Sequence, residues 1–207
     1  MPTSDAQLLV AWGQGDPRAG SRLFNRYFLA VSRFFANKIP EDHDDLIQET
    51  FMACLRGREG LRDKSSFRAY LFGAASNVLR MYFRRQRLRQ PTESLDDVSA
   101  HDLGPGPSTA LRGSEQDQVL LDALRQLPLA LQIVMELYYW EGMRTHEIAE
   151  AVDLPTGTVR SHLRRGRQLL QAALGGEAWD PCSHLYGGRG LDEWATALRD
   201  TITRRCA

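Results

Sequence analysis

The stretch EIAEAVDLPTGTVRSHLRRGR, residues 147–167, is the most informative part of this 207-residue chain. Apolar residues recur at helical spacing on both sides of a turn at Leu154-Pro155: Ile148, Ala149 and Val152 before it, and Val159, Leu163, Gly166 and Leu170 after it. Each side is therefore predicted to form a helix with an apolar inner face. Two such helices joined by a tight turn are typical of a helix-turn-helix.

The second of these helices carries arginines but no acidic residue. Thr156, which follows Pro155 at the turn, is predicted to cap it. The polar residues left on its outer face are Thr158, Arg160, Ser161, His162, Arg164 and Arg165. This row of hydrogen-bond donors suits a DNA major groove, although the pattern does not separate base contacts from phosphate contacts. The alternative is a solvated arginine face on an ordinary helical hairpin.

The composition is that of a folded protein, since 43% of the residues are apolar. No apolar run approaches the roughly 18 residues of a membrane span, and the start, MPTSDAQLL, has no signal-peptide pattern, so we expect a cytoplasmic protein. Cys54, Cys182 and Cys206 are too few and too scattered for a disulfide framework. Cys54 lies in an apolar helical register with Phe51, Met52 and Leu55, which predicts a core thiol.

The formal net charge of zero conceals a strong segregation of charge. Residues 62–90 contain eight basic residues against Asp63 alone, whereas residues 91–118 contain six acidic residues against Arg112. Residues 155–175 carry only basic charge. Two basic blocks separated by an acidic one predict two nucleic-acid surfaces.

The periodicity predicts an all-α protein with two small helical domains joined by a flexible acidic linker. The first domain spans 5–90 and is predicted to contain four helices. The first covers 6–12, and the second begins after a cap at Asp16 and ends at Pro40. The third covers 42–55, and the fourth covers 67–88 after a cap at Ser65 or Ser66. Residues 91–114 contain GPGP and no periodicity, which is typical of a linker. The second domain, 115–175, has a break at Pro128 and a terminator at Gly142, and a C-terminal extension, 176–207, ends in an amphipathic helix.

The helix over 67–88 interleaves aromatic rings with arginines. Single-stranded DNA is bound by such mixtures, because bases stack on the rings while cations follow the phosphates. The alternative is that most of the rings belong to the core, and Phe67, Leu71 and Val78 do share one helix face. Asn77 lies off that stripe.

Three motifs in order carry a resemblance to a known family. They are DDLIQETF (44–51), SFRAYLFGAASNVLRMYFRR (66–85) and LRQLPLALQIVMELYYWEGMRTHEIAEAVDLPTGTVRSHLRRGR (124–167). Over residues 5–174 the chain resembles the extracytoplasmic-function sigma factors, the small two-domain initiation subunits of bacterial RNA polymerase. The resemblance implies a protein without catalysis or cofactor that directs core polymerase to promoters and initiates transcription. The implied partners are core polymerase, through its clamp helices and flap, and double- and single-stranded promoter DNA, and an anti-sigma factor is a further candidate.

The resemblance also implies three sets of contact residues. The polymerase-binding set is Asp45, Gln48 and Glu49 as polar contacts, with Leu46 and Phe51 supporting the helix from inside. The set for the minus-ten element is Arg62, Asp63, Lys64, Tyr70, Asn77, Arg80, Arg84 and Arg85, the first three in a loop that captures a flipped base. The set for the minus-thirty-five element is Thr156, Thr158, Arg160, Ser161, His162, Arg164 and Arg165. The acidic linker would thread the polymerase cleft, or alternatively serve only as a spacer.

The sequence departs from the family pattern at two places. Arginines are frequent after the break at Pro128, where this chain has Leu129, Ala130, Leu131 and Gln132, so flap or phosphate contacts there would be weaker. An acid is common in the promoter-melting helix where this chain has Met81.

Other functions compete with this interpretation. A stand-alone helix-turn-helix regulator would need neither the 44–51 motif nor the basic aromatic helix. A nuclease built on Asp44, Asp45 and Glu49 lacks a supporting carboxylate set, and we expect no metal at Asp42, His43 and their neighbours, where acids complement the helix dipole. In the extension, Cys182, His184 and Cys206 fall short of the usual four-ligand zinc spacing, and we expect the extension instead to fold back on a domain and tune activity.

Overall fold

The computed structural model describes residues 4–39, 43–57, 66–87, 99 and 115–174. Apart from an isolated antiparallel bridge between Ser99 and Pro128, the regular secondary structure of these residues is helical. The helices are α1 Asp5–Gly13, α2 Pro17–Ala36, α3 Asp44–Arg56, α4 Phe67–Arg87, α5 Glu115–Arg125, α6 Leu129–Tyr139, α7 Thr145–Val152 and α8 Thr156–Ala173. The predicted all-α class is confirmed.

Helices α1–α4 form the N-terminal domain, and polar caps set where its helices begin. Ser4 and Gln7 form a reciprocal capping box on α1, and the Asp16 side chain accepts the Arg18 N–H at the start of α2. Ser66 caps α4, because its Oγ accepts the Ala69 N–H at 3.3 Å. Arg26 and Tyr27 of α2 both donate to Asp5, which ties α1 to α2.

The N-terminal domain is packed around aromatic rings from α1, α2, α3 and α4. The Phe24 ring lies 5.4 Å from Trp12 and 4.8 Å from Phe51, centroid to centroid, while Phe34 lies 5.8 Å from Phe72. Cys54 is fully buried, as predicted for a core thiol. The predicted apolar register around it was partly wrong, because α3 turns Met52 and Leu55 toward solvent.

Helices α5–α8 form the C-terminal domain, and two left-handed residues shape its turns. Gly142 ends the α6 segment with φ 62°, a conformation that glycine adopts without strain. Asp153 ends α7 with φ 56°, so the helix-turn-helix turn begins one residue before the predicted Leu154-Pro155. Gly166 lets α8 approach α6, since a Cβ there would meet Met135 Cγ and Sδ at 2.9 Å.

Several helix ends in the structure differ from the predicted ends by about two residues. Helix α3 begins at Asp44 with His43 at its N-cap, not at Asp42, which lies outside the described residues. Helix α5 ends at Arg125 and α6 at Tyr139, each about two residues before its predicted end, because turns precede Pro128 and Gly142. Most of the predicted linker, the loop over 58–65 and the C-terminal extension also lie outside the described residues.

The two domains pack directly against each other. Their buried apolar side chains form one continuous cluster that runs from Leu8 in α1 to Leu170 in α8. Helix α4 lies on α7, and the C-terminal end of α2 meets α6. None of the described helices is both long and apolar enough to cross a membrane.

Candidate nucleic-acid interface

The outer face of α8 presents polar side chains to solvent. Its inner face is buried through Val159, Leu163, Gly166 and Leu170, as the spacing predicts. On the outer face Arg160, Ser161, Arg164 and Arg165 are exposed, while Thr156, Thr158 and His162 are half-buried. The arrangement places three guanidinium groups and several hydroxyl donors along one exposed side of a helix, which suits contacts with DNA.

The start of α8 differs from the prediction. Pro155, with φ −58° and ψ 141°, takes the N-cap position, and Thr156 is the first helical residue. The prediction that Thr156 caps the helix was therefore wrong. Pro155, whose ring fixes its φ, is itself the non-helical residue that precedes the first turn. Ser161 Oγ donates to the Thr158 carbonyl at 2.8 Å, which fixes its hydroxyl proton along the helix.

Arg167, the last arginine of the quoted stretch, faces the protein. Its Nε donates to Tyr139 Oη at 2.6 Å, and its guanidinium carbon lies 5.5 Å from the Tyr139 ring centroid and 5.8 Å from that of Tyr138. Cation–π contacts of this kind stabilise packing between helices. Arg167 thereby links α8 to the end of α6 and helps to fix the rotation of the outer face.

Helix α4 divides its aromatic and basic residues between core and surface. Phe67, Phe72 and Phe83 are buried, so these rings belong to the core, which was the alternative left open by the sequence. The predicted minus-ten residues on this helix are exposed or half-buried: Asn77, Arg84 and Arg85 are exposed, and Tyr70 and Arg80 are half-buried. Burial raises the pKa of the Tyr70 hydroxyl, which therefore stays protonated at neutral pH. Arg62, Asp63 and Lys64 lie outside the described residues.

Helix α3 presents the predicted polymerase-binding residues beside α4. Asp45 and Gln48 are exposed, Glu49 and Phe51 are half-buried, and Leu46 is buried. Glu49 Oε1 lies 3.8 Å from Arg85 Nη2, so the acidic and basic motifs meet at this edge.

A cavity of about 500 Å³ lies between α3, α4 and α7. Its walls combine residues of two predicted contact sets, Glu49 of α3 and Tyr70 and Asn77 of α4, with Glu150 and Asp153 at α7. Since α7 belongs to the C-terminal domain, this cavity exists only while the domains are packed together.

A buried polar network between the domains was not foreseen from the sequence. Lys38 and Glu136 form an ion pair and are almost completely buried, with side-chain exposures of 0% and 2%. Glu136 Oε1 also accepts from Asn37 at 2.8 Å and from Gln132 at 2.9 Å. Burial lowers the pKa of Lys38, and the Glu136 carboxylate opposes that shift. The sequence contained one indication of this network: Glu136 is the sole charged residue in the apolar run LALQIVMELYYW.

The carboxylates considered for a metal site stay apart. Within residues 4–39, 43–57, 66–87 and 115–174, no three His, Cys, Asp or Glu side chains gather as ligands would. Asp42, and Cys182, His184 and Cys206 of the extension, lie outside the described residues.

Comparison with known proteins identifies both domains. The family model for sigma-70 region 2 matches residues 25–89, and that for sigma-70 region 4 matches residues 117–170. The chain is 30% identical over 177 residues to the ECF RNA polymerase sigma-E factor of Haemophilus influenzae, covering 81% of this chain and 94% of the relative. It is 28% identical over 176 residues to the factor of the same name from Escherichia coli K12, covering 81% and 92%.

Two solved structures share the fold. CnrH, solved in complex with the cytosolic domain of CnrY, matches with a TM-score of 0.61 and 24% identity over 82% of this chain and 96% of that chain. The sigma factor RpoE, solved in complex with the anti-sigma factor NepR from Bartonella quintana, matches with a TM-score of 0.55 and 22% identity over 75% and 98%. Given these matches, and an H. influenzae relative aligned over almost its whole length, the chain belongs to the extracytoplasmic-function sigma factors of the sigma-70 family.

Proposed function

We propose that this sigma factor directs core RNA polymerase to promoters by holding two DNA elements with two separate surfaces. The observation that carries the proposal is the acid-free outer face of α8, with Arg160, Arg164 and Arg165 exposed above a fully buried inner face. The role requires binding and placement only, and we assign no catalytic group. The proposed domain limits are 5–90 and 115–175, joined by residues 91–114.

The proposed minus-thirty-five surface is the outer face of α8. The exposed guanidinium groups and the Thr156, Thr158, Ser161 and His162 side chains would divide between base edges in the major groove and flanking phosphates. Arg167 would contribute to DNA binding only indirectly, since its contact with Tyr139 holds α8 in position.

The proposed minus-ten surface is the exposed side of α4 and the loop before it. Tyr70, Asn77, Arg80, Arg84 and Arg85 offer one aromatic ring, one amide and three cations, a mixture suited to unstacked bases and their phosphates. Arg62, Asp63 and Lys64 are proposed to capture a flipped base, and they lie outside the described residues. Met81, which stands where the family commonly has an acid, is exposed and adds an apolar side chain to this surface.

The proposed polymerase contact is the outer face of α3. Asp45, Gln48 and Glu49 would bind the clamp helices, while buried Leu46 and the Phe51 ring, 4.8 Å from Phe24, hold α3 in place. A flap contact through the start of α6 has little support, because Leu129, Ala130, Leu131 and Gln132 are all buried.

Regulation by a partner is a further proposal. The two structural neighbours were solved with CnrY and with the anti-sigma factor NepR, and an anti-sigma factor is accordingly a candidate partner for this chain. The acidic segment 91–114 is proposed to thread the polymerase cleft, and the extension 176–207 to modulate activity. Deleting residues 176–207 should change transcription at saturating core polymerase, and unchanged transcription and stability would remove the regulatory role of the extension.

Co-purification with core polymerase tests the proposed function. The full chain should co-elute with core enzyme in gel filtration, and an Asp45→Lys/Gln48→Ala variant should lose this binding while keeping its helical content. Arg22→Glu, a charge reversal at an exposed position of α2, is the matched control and should co-elute normally. Tight binding of the chain to DNA without any binding to core enzyme would overturn the proposal.

A further inference from the structure

The cavity between α3, α4 and α7 is lined in large part by small apolar side chains. They are Ala53 of α3, Ala69 and Ala74 of α4, and Ala151 of α7. Gly73 continues this small surface, and a Cβ there would lie 2.7 Å from the Ala151 carbonyl oxygen. Because short side chains stand where longer ones would fill the space, about 500 Å³ stays open. Such a volume is typical of sites for small organic molecules.

The same cavity carries an excess of negative charge. Among the described residues that line it, the acids Glu49, Glu150 and Asp153 stand against the single base Arg56. Glu49 Oε1 lies 3.8 Å from Arg85 Nη2, which is longer than a charge-assisted hydrogen bond. The acids come from two walls, since Glu49 belongs to α3 whereas Glu150 and Asp153 lie at α7. A cation inside the cavity therefore meets carboxylates from both domains.

A ring and an amide on α4 complete the wall between the acids. Tyr70 and Asn77 both line the cavity and are seven residues apart, which is about 10 Å along the helix axis. A tyrosine ring attracts an organic cation, and an amide oxygen accepts a hydrogen bond from an ammonium group. This spacing suits an elongated molecule better than a single small ion.

The chemistry of the wall favours an organic cation over other ligands. An anion would meet three carboxylates, and a neutral apolar molecule would cover those carboxylates without supplying a counter-charge. A metal ion needs several ligands around one point, and in the ranges that the structure describes no three His, Cys, Asp or Glu side chains gather in this way. Protonated amines on an apolar chain satisfy both halves of the wall, because the chain contacts the alanines while the ammonium groups contact the carboxylates.

We propose that this cavity binds an elongated organic cation, with protonated amines joined by an apolar chain as in a polyamine. One ammonium group binds at Glu150 and Asp153, the chain lies over the alanines, and another ammonium group binds at Glu49. The site itself is independent of the proposed function. A consequence that does rest on the proposed function is competition with core polymerase, since Glu49 belongs to both sites.

Isothermal titration calorimetry of the full chain with spermidine tests the site. Glu150→Gln/Asp153→Asn removes two carboxylates and keeps the shape of both side chains, and asparagine also tolerates the left-handed conformation of residue 153. Ala74→Leu fills the cavity without changing its charge. Asp122→Asn, at an exposed position of α5 away from the cavity, is the matched control. The ligand control is 1,8-octanediol, an uncharged chain of similar length.

We expect saturable one-to-one binding of spermidine to the unmodified chain and to Asp122→Asn, and no binding of the diol. The double variant should raise the Kd about tenfold, because it removes two partly exposed ion pairs. Ala74→Leu should raise the Kd at least as much. Circular dichroism checks the fold of each variant, and if Ala74→Leu does not fold, Ala53→Leu fills the cavity from α3 instead.

Absence of spermidine binding would overturn the site. Equal affinity in the unmodified chain, the double variant and the cavity-filling variant would also overturn it, because spermidine would then be attracted only to acidic surface in general. Equal binding of the diol would overturn the requirement for ammonium groups.

The competition is measured by adding core polymerase to the fluorescently labelled chain. Spermidine at ten times its Kd should raise the apparent Kd for core polymerase about tenfold in the unmodified chain. The double variant should show no such rise, and this comparison removes effects of spermidine on the polymerase itself. An unchanged Kd would overturn the competition and leave the site intact. Failure of the chain to bind core polymerase without spermidine would contradict the proposed function and not the site.

Discussion

The arginines of α8 and the cations between the domains lie in opposite environments. Arg160, Arg164 and Arg165 point into solvent from a helix that contains no acid, whereas Arg33 and Arg68 each bind a carboxylate of the other domain. The charge of the first group is exposed to solvent, and that of the second group is neutralised within the protein. Comparing these two regions teaches that residue type alone does not show which arginines remain exposed in this chain: the position of the nearest acid in the fold does.

The largest expected effect comes from the buried pair between the domains. Lys38→Met leaves the Glu136 carboxylate buried without its counter-charge, so we expect the free energy of unfolding to fall by about 3 kcal/mol. Adding Glu136→Gln removes that charge and keeps the acceptor for Asn37 and Gln132, and should recover about 2 kcal/mol. Urea unfolding measures both. Arg22→Met, at an exposed position of α2, should change stability by less than about 0.5 kcal/mol. A double variant no more stable than Lys38→Met would contradict this description of the pair.

Substitution of the exposed α8 arginines should weaken promoter binding and leave stability unchanged. Arg165→Ala should weaken binding of the holoenzyme to a cognate promoter by about 1–3 kcal/mol if Arg165 makes a bidentate base contact. Gln168→Ala, one turn further along the exposed side of α8, is the matched control and should bind normally. Fluorescence anisotropy with labelled promoter DNA measures the difference, and equal affinities would remove Arg165 from the recognition set.

A smaller effect, on stability alone, should distinguish the arginines between the domains from the exposed arginines of α8. Arg68→Met removes two bonds to Glu147 and should lower the free energy of unfolding by about 1 kcal/mol. The same substitution at Arg164, exposed on α8, should change it by less than about 0.5 kcal/mol. Thermal unfolding of both variants measures the contrast. Equal losses would show that the exposed arginines also take part in folding.

The smallest effect is a dependence on pH. Burial tends to raise the pKa of Glu147, but the Arg144 N–H and the Arg68 guanidinium outweigh it and hold that pKa below its ordinary value of 4.5. A depressed carboxyl pKa stabilises the fold above that value and loses the effect as pH falls through the folded pKa. Glu147→Gln should therefore lower the unfolding midpoint by about 1–3 °C at pH 7, with a difference that shrinks below about pH 4.5. A difference that stays constant down to pH 3 would contradict the assignment.

The sequence predicted the helix-turn-helix well because both of its apolar stripes are local and periodic. Val159, Leu163 and Leu170 are buried as their spacing requires, and the breaks at Pro128 and Gly142 are where the residue types predict them. The left-handed Asp153 was missed, since aspartate adopts that conformation only occasionally and no glycine marked the turn.

What the sequence could not show is which cations meet which acids. Arg68 and Arg85 belong to one basic block, yet Arg68 binds Glu147 of the other domain while Arg85 lies at the surface 3.8 Å from Glu49. Such pairings depend on domain packing between residues far apart in the chain. The predicted DNA face did not include Arg167, and its contacts with the Tyr138 and Tyr139 rings of α6 were likewise not foreseen.

Transcription in vitro tests the central claim most directly. Core polymerase with this chain should initiate on source-organism genomic DNA at discrete start sites that share two upstream sequence elements, and Arg165→Ala should reduce initiation at those sites. Mapping of RNA 5′ ends gives the readout. Initiation indistinguishable from that of core polymerase alone, although the chain is bound to it, would contradict the assignment of this protein as a promoter-specificity subunit.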